Sequence, residues 1–229
     1  MKLIRVTQIE KFRRYITEHS SYDTEQSVID TLTGIFTGNE YTRIGTAFHK
    51  IVEGDTASCV KLTDGIAGRG FDIDGYMVKL SVPQCKVAVA YKNQFPEAFH
   101  EIREYMEMEG VVVTGCADMI NGFTIRDIKT KFSPINDADY TDSCQWRYYM
   151  ELFGVDEFHF DLFEFKGYNK EANGYDVRGL ELVPYNPPIT CYYYNGIEQD
   201  NRNLVKEFIQ WAKFRKLYDN LPEYDIQSF

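Results

Sequence analysis

From its first residues the chain alternates between apolar stripes at helical spacing and short runs at period two, and the order of those periods predicts its architecture. Thr7 to Glu10 read as a T-x-x-E capping box, followed by Ile9, Phe12 and Ile16 at helical spacing, with Lys11, Arg13 and Arg14 on the other side. A second helix is predicted over 24–37, with Val28, Leu32, Ile35 and Phe36 on one stripe and Gly38 placed to end it. The run IGTAFHKIVEG predicts a third, between Gly45 and Gly54. Residues 70–91 read as short strands around an Asp74-Gly75 turn, and Pro96 opens a predicted helix reaching Met108.

The segment VVVTGCADMINGFTIRDIKTKF, residues 111–132, changes period to two. Asn121-Gly122 between two β-prone runs predicts a hairpin with a type I′ turn, because both turn positions need positive φ. That turn would set Ile120 opposite Phe123, Asp118 opposite Ile125, Cys116 opposite Asp127 and Thr114 opposite Lys129. Phe123, Ile125, Asp127 and Lys129 then share a face with Asp118, so apolar residues give way to charge along one face. Asp118 and Asp127 become diagonal neighbours roughly 7 Å apart, close enough for one small cation to touch both. Beyond the hairpin the pattern predicts a helix over 141–153 ended by Gly154, then strands at FHFDLFEF and YDVRGLELV. A last helix is predicted over 203–218, with Val205, Phe208, Ile209, Ala212 and Leu217 apolar. The succession is that of a mixed α/β fold, and the absence of a linker or repeat predicts one domain over 1–229.

Composition narrows the function classes. With 44% hydrophobic and 15% aromatic residues the 229-residue chain can bury a core and is not a disordered segment. No apolar run is long enough for a secretory leader or a membrane span, so an intracellular, cytoplasmic protein with no membrane partner is expected. Five cysteines without C-x-x-C spacing fit reduced thiols better than a disulfide frame or zinc site. A net charge of −10 is awkward for nucleic-acid binding, which then needs a local basic strip. Lys11, Arg13, Arg14, Lys131, Arg147 and Lys213-Phe214-Arg215-Lys216 are the candidates.

Four places carry polar groups that a core would not select unaided: His49 with Glu53, one helical turn apart; Asp118; Asp127 with Lys129; and Gln145 with Tyr149, again one turn apart. Each alone is unremarkable, and an Asp-x-Lys strand is often just a charged edge that blocks aggregation. In order they are Gly45-Thr46-Ala47-Phe48-His49, Gly115-Cys116-Ala117-Asp118, Asp127-Ile128-Lys129 and Gln145-Trp146-Arg147-Tyr148-Tyr149. This series resembles the PD-(D/E)xK nuclease superfamily, and within it the RecB-like and CRISPR-associated exonuclease branch. The resemblance covers 45–149 and says little about either end.

What it implies is a restriction-endonuclease-like core, a central mixed β-sheet flanked by α-helices, performing metal-dependent phosphodiester hydrolysis of DNA. His49, Asp118 and Asp127 would be metal ligands, the main-chain carbonyl of Ile128 a further one, and Lys129 would lie near the attacking water. Gln145 and Tyr149 would hold the site or contact nucleic acid. Glu53 could ligate a second metal or accept a hydrogen bond from the imidazole. Adjacent carboxylates repel unless a proton or cation intervenes, and an oxygen-rich site suits Mg²⁺, while an imidazole also admits Mn²⁺. Some relatives hold an iron–sulfur cluster on four cysteines, but the scattered Cys59, Cys85, Cys116, Cys144 and Cys191 predict none here. The leading expectation is a Mg²⁺- or Mn²⁺-dependent exonuclease of recombination, repair or phage replication, acting on double- or single-stranded DNA. Its acidic surface would be offset by a homo-oligomeric ring or by a loading partner of the single-strand-annealing kind. The alternative is a catalytically inactive nuclease-like module that binds nucleic acid or serves assembly.

Overall fold

The computed structural model describes residues 1–35 and 38–224. Its frame is a hairpin pair. Strand β5 (Phe99–Met108) turns at Glu109-Gly110, both with positive φ, into β6 (Val111–Asn121), which turns again into β7 (Thr124–Lys131). From β7 the chain crosses over through two short helices, α5 (Ala138–Thr141) and α6 (Gln145–Phe153), and returns as β8 (Glu157–Phe165), parallel to β7 from Thr124↔Glu157 to Lys131↔Glu164. Parallel neighbours require such a crossover, and this one carries the Gln145 end of α6 to the face of β7 that bears Asp127. An N-terminal strand, β1 (Lys2–Arg5), lies parallel to the start of β6, and β9 (Leu182–Pro184) and β10 (Ile189–Tyr192) pair with β8. The result is a seven-stranded mixed sheet.

Helices cover both faces. On one, α1 (Val6–Ile16), α2 (Glu25–Thr33), α6 and α8 (Ile197–Phe214) bury Ile9, Phe12, Val28, Tyr148, Val205 and Phe208 against Val113, Ile125 and Phe158. On the other, α3 (Glu40–Glu53), α4 (Val82–Lys92) and a three-stranded sheet of β2 (Val60–Leu62), β3 (Gly68–Ile73) and β4 (Tyr76–Ser81) bury Ile44, Phe48, Phe71 and Leu80 against Ile128, Phe163 and Phe165. Each such side chain contributes about 1.5–3 kcal/mol on burial, so both layers are needed to hold the sheet between them.

Several expectations change. The 96–108 segment is the edge strand β5, not a helix, and 82–92 is the helix α4, started by a Ser81/Gln84 capping box. The first helix begins at Val6, after Arg5, because Glu10 does not close a box with Thr7: its carboxylate accepts from Arg13 and from the Cys144 N–H at 2.8 Å. The second helix stops at Gly34, leaving Ile35 exposed, and Phe36 lies outside the described residues. The helix expected over 141–153 is broken between α5 and α6, and Gly154 ends it as expected. The last helix starts earlier, at Ile197, and YDVRGLELV yields only the short β9.

The hairpin forms, with its register moved. Asn121 stays in the ladder opposite Thr124, and the turn is Gly122-Phe123, with positive φ only at Gly122, the pattern of a type II′ turn. Ile120 therefore pairs with Ile125 and Met119 with Arg126, which brings Asp118 level with Asp127 instead of diagonal to it. A slide of two residues preserves the face, so Asp118, Asp127 and Lys129 still share one side.

Candidate metal centre

The site occupies a fork in the sheet. Along one side of β6, β1 pairs with residues 111–114 and β7 with residues 119–121, so the stretch between has no strand beside it there. Side chains take over the orphaned backbone groups. The Asp118 carboxylate accepts from the Ile128 N–H at 2.8 Å, and the Tyr149 hydroxyl donates to the Cys116 carbonyl at 2.8 Å. Gly115 makes this possible: a Cβ there would lie 3.2 Å from the Tyr149 ring and 3.0 Å from Leu152.

Three elements converge on Asp118. Helix α3 is capped by Asn39, which accepts from the Thr42 N–H, and closes on Gly54 in the left-handed conformation. Gly45 lets it approach β7, since a Cβ would sit 3.0 Å from Thr130 Oγ1. One turn further on, His49 Nε2 is 2.8 Å from the Ile128 carbonyl. From β5 comes Glu101, with φ 53°, between the paired residues His100 and Ile102. A glutamate with positive φ is uncommon, and here it stands on the strand beside Asp118. His49, Glu101 and Asp118 can each present one ligand atom, all within 4.8 Å of one another, and among the described residues no other group of His, Cys, Asp and Glu converges this way. The Ile128 carbonyl adds an oxygen at the His49 ring, and 2.8 Å is close to the roughly 3 Å between neighbouring ligands in an octahedron with bonds of about 2.1 Å.

Asp127 is placed differently from the expectation. It is buried, and Oδ1 accepts from Lys129 Nζ and from Gln145 Nε2, both at 2.8 Å, so it is turned toward those two and is not one of the converging ligands. Its Oδ2 faces the Lys129 ammonium at 2.8 Å without an aligned hydrogen bond. Burial raises the Asp127 pKa, Lys129 opposes this, and the nearby Asp118 charge adds to the rise, which wins. For Lys129 burial acts downward, but the charges of Asp127 and Asp118 prevail and hold its pKa above the ordinary lysine value. Glu53 lies 4.0 Å from His49 Nδ1, and its pKa is raised by burial and by the Glu101 charge, then by Asp118, against the pull of His49. Two carboxylates beside the cluster, Asp127 and Glu53, thus hold their protons more tightly than usual, as buried and crowded acids do.

Two clefts meet at this point. One of about 580 Å³ runs along α3 past His49 and Glu53, and another of about 280 Å³ lies over Asp118, Asp127, Gln145 and Tyr149, with Glu101 and Lys129 lining both. The smaller cleft is also lined by Arg5 and Arg103, neither of which has a carboxylate partner among the described residues. These cations were not among the sequence candidates, and those candidates are mostly committed elsewhere. Lys11 and Arg14 are paired with Asp23, Arg13 with Glu10, Arg147 with Asp200 and Arg215 with Glu25, while Lys131 and Lys213 lie over the rings of Tyr140 and Tyr218. Glu101 is not legible in the sequence because Pro96 and the pattern after it predict a helix over 96–108. Ile102, Met106 and Met108 at even spacing, followed by Glu109-Gly110, were the available signal for a strand.

No protein-family model and no curated relative matches the chain. Solved structures do. A structure described as a Putative exonuclease from Eubacterium rectale is 12% identical, with 97% of this chain and 83% of that one covered and a TM-score of 0.53. The protein SSO0001 aligns over 92% of this chain and 77% of its own at 14% identity, with a TM-score of 0.43. The first of these shows a shared mixed α/β fold, a central mixed sheet flanked by helices.

Proposed function

We propose that the chain is a divalent-metal-dependent nuclease that degrades DNA from an end. The observation that carries this reading is the convergence of His49, Glu101, Asp118 and the Ile128 carbonyl beside a buried Asp127 paired with the half-exposed Lys129. A non-nucleolytic cation site has no use for a lysine held at its edge. The exonuclease description of the structural neighbour agrees with it. His49, Glu101 and Asp118 would hold Mg²⁺ or Mn²⁺, with Glu53 behind His49, and the cation would polarise the scissile phosphate and acidify a bound water.

The remaining chemistry belongs to this chain's own groups. Lys129 keeps its proton through neutral pH because two carboxylates face it, so Nζ acts as a fixed cation that donates to the phosphate as charge builds, and not as a base. Asp127 aims that ammonium, and Gln145 aims Asp127. Tyr149 closes the fork behind Cys116 and so keeps β6 rigid under the site. Arg5 and Arg103 offer the phosphate contacts that the acidic surface elsewhere withholds. None of these groups reads a base edge in an evident pattern, which favours cleavage without sequence preference. Recombination, repair and phage replication are the settings such an activity would serve, with a ring of copies or a loading partner supplying affinity.

The test is incubation of linear and covalently closed circular DNA with Mg²⁺, Mn²⁺ or EDTA. Loss of linear DNA with either metal, its survival in EDTA and the persistence of circles are expected. No cleavage with either metal would end the nuclease reading, and equal cutting of circles would leave the metal site standing but make the enzyme an endonuclease.

A further inference from the structure

The larger cleft does not stop at the metal-type cluster. It continues along α3 through Thr46, Gly45 and Thr42 to Tyr41, and the acid beside Tyr41, Glu40, is engaged by Lys170 at 3.1 Å. Tyr41 and His49 are eight residues apart on α3, about 12 Å along its axis. Tyr41 is 40% exposed, yet its ring is not loose: it packs at 5.1 Å on Phe132 and 5.5 Å on Tyr168, and Phe132 is itself stacked on the buried Phe165 at 5.3 Å and 6°. An aromatic ring braced from behind and open in front is poor core packing and good stacking surface. The positive end of α3, where Tyr41 and Thr42 sit in the first turn, favours phosphates on either side of a stacked base.

We infer that Tyr41 is a stacking platform for an unpaired nucleobase, so that the cleft along α3 takes a single strand whose scissile phosphate reaches His49 and Lys129. This rests on the nuclease reading of the metal centre. In a duplex each base face is already covered by its neighbours, so only an unpaired base can lie face to face on the tyrosine. Extended nucleotides advance more than the about 3.4 Å of a stacked duplex strand, so the span from Tyr41 to the metal centre places the stacked base about two or three nucleotides from the cut. The surface between them, hydroxyls and a glycine, suits a sugar-phosphate chain that is not being read for sequence.

The experiment uses the full chain and an oligothymidylate carrying 5-iododeoxyuridine at one position at a time, irradiated in EDTA. A crosslink to the peptide containing Tyr41, strongest when the label is two or three nucleotides from the end, is expected; crosslinking that never reaches that peptide overturns the inference. Variants give an independent readout. Tyr41→Ala should raise Kd and KM for a single strand about tenfold with kcat little changed, Tyr41→Phe should restore both, and binding to blunt duplex should not move. Equal loss with Phe and Ala, or equal loss for duplex, would show that Tyr41 only supports α3 and would overturn the inference. Because crosslinking needs no cleavage, the two readings separate: cleavage without the Tyr41 crosslink defeats stacking alone, and the crosslink without cleavage defeats nuclease activity alone.

Discussion

Two aspartates in this molecule are buried among cations, and they behave in opposite ways. Asp23 is 6% exposed and accepts from Lys11 at 2.8 Å, from Arg14 at 3.0 Å and from Ser20 at 2.6 Å. Burial alone would raise its pKa, but those three donors overturn that and hold it well below the usual carboxylate range. Asp127, 5% exposed, also has a cation, Lys129, and an amide, Gln145, yet its pKa moves up. The difference lies first in burial, the largest cause of the rise at Asp127, and then in the company: one ammonium opposes it there while Asp118 adds to it, whereas two cations and a hydroxyl outweigh it at Asp23. One cluster is an ion-pair clasp between α1 and the turn after it. The other is left with charge its own side chains do not neutralise, which is useful only where something else supplies the balance.

The comparison is broken most sharply by one substitution in each cluster. Lys129→Ala should lower kcat by at least about a hundredfold while circular dichroism and the melting temperature stay near those of the parent, because Nζ serves the transition state more than packing. Retained activity would make Asp127–Lys129 a second structural clasp. Asp23→Asn should do the reverse: urea titration should show a loss of about 3 kcal/mol, since Lys11 and Arg14 lose the buried charge they pair with, and the folded fraction should cleave normally.

That contrast was only half legible in the sequence. Helix α3 and the β6–β7 hairpin are strongly periodic, and because the period is two, even a misplaced turn left Asp118, Asp127 and Lys129 on one face. The turn itself was misread because Asn121 has a cross-strand partner in Thr124, a choice made by the ladder and not by local preference. Glu101 was hidden because a strand with Phe99 and charged residues on its exposed positions mimics an amphipathic helix. The basic strip failed for a different reason: ion pairing is tertiary. Nothing near Lys11 or Arg14 announces that Asp23, twelve and nine residues on, will absorb both charges.

A cation should sharpen the comparison. Saturating Mn²⁺ is expected to raise the melting temperature of the parent through linkage, by the equivalent of about 2.7 kcal/mol at a hundred times Kd. Asp118→Asn or Glu101→Gln should abolish most of that gain, and Asp23→Asn should leave it intact on its lowered baseline. His49→Ala should shift the preference toward Mg²⁺ by deleting the imidazole nitrogen. A gain that survives Asp118→Asn and Glu101→Gln together would place the ion elsewhere.

The last expected effect, a dependence of stability on pH, is also the most diagnostic, because its sign differs between the two aspartates. A carboxyl whose folded pKa is raised binds its proton more tightly in the folded state than in the unfolded one. Asp127 thus contributes stability that is fully present below the unfolded carboxylate pKa of about 3.9 and is lost as pH rises through its folded value. In metal-free protein, Asp127→Asn removes that titration, so the variant should gain on the parent as pH climbs from mildly acid to neutral. For Asp23 the depressed folded pKa reverses the direction: its contribution is present above about pH 3.9 and disappears only as pH falls further, toward the folded value. The deficit of Asp23→Asn should therefore be constant at neutral pH and shrink in acid. Melting curves of both variants and the parent in EDTA, at several pH values, read this directly. If Asp127→Asn loses stability at neutral pH as Asp23→Asn does, then Lys129 and Gln145 neutralise Asp127 as fully as Lys11 and Arg14 neutralise Asp23, and the site stores no charge for a cation to relieve.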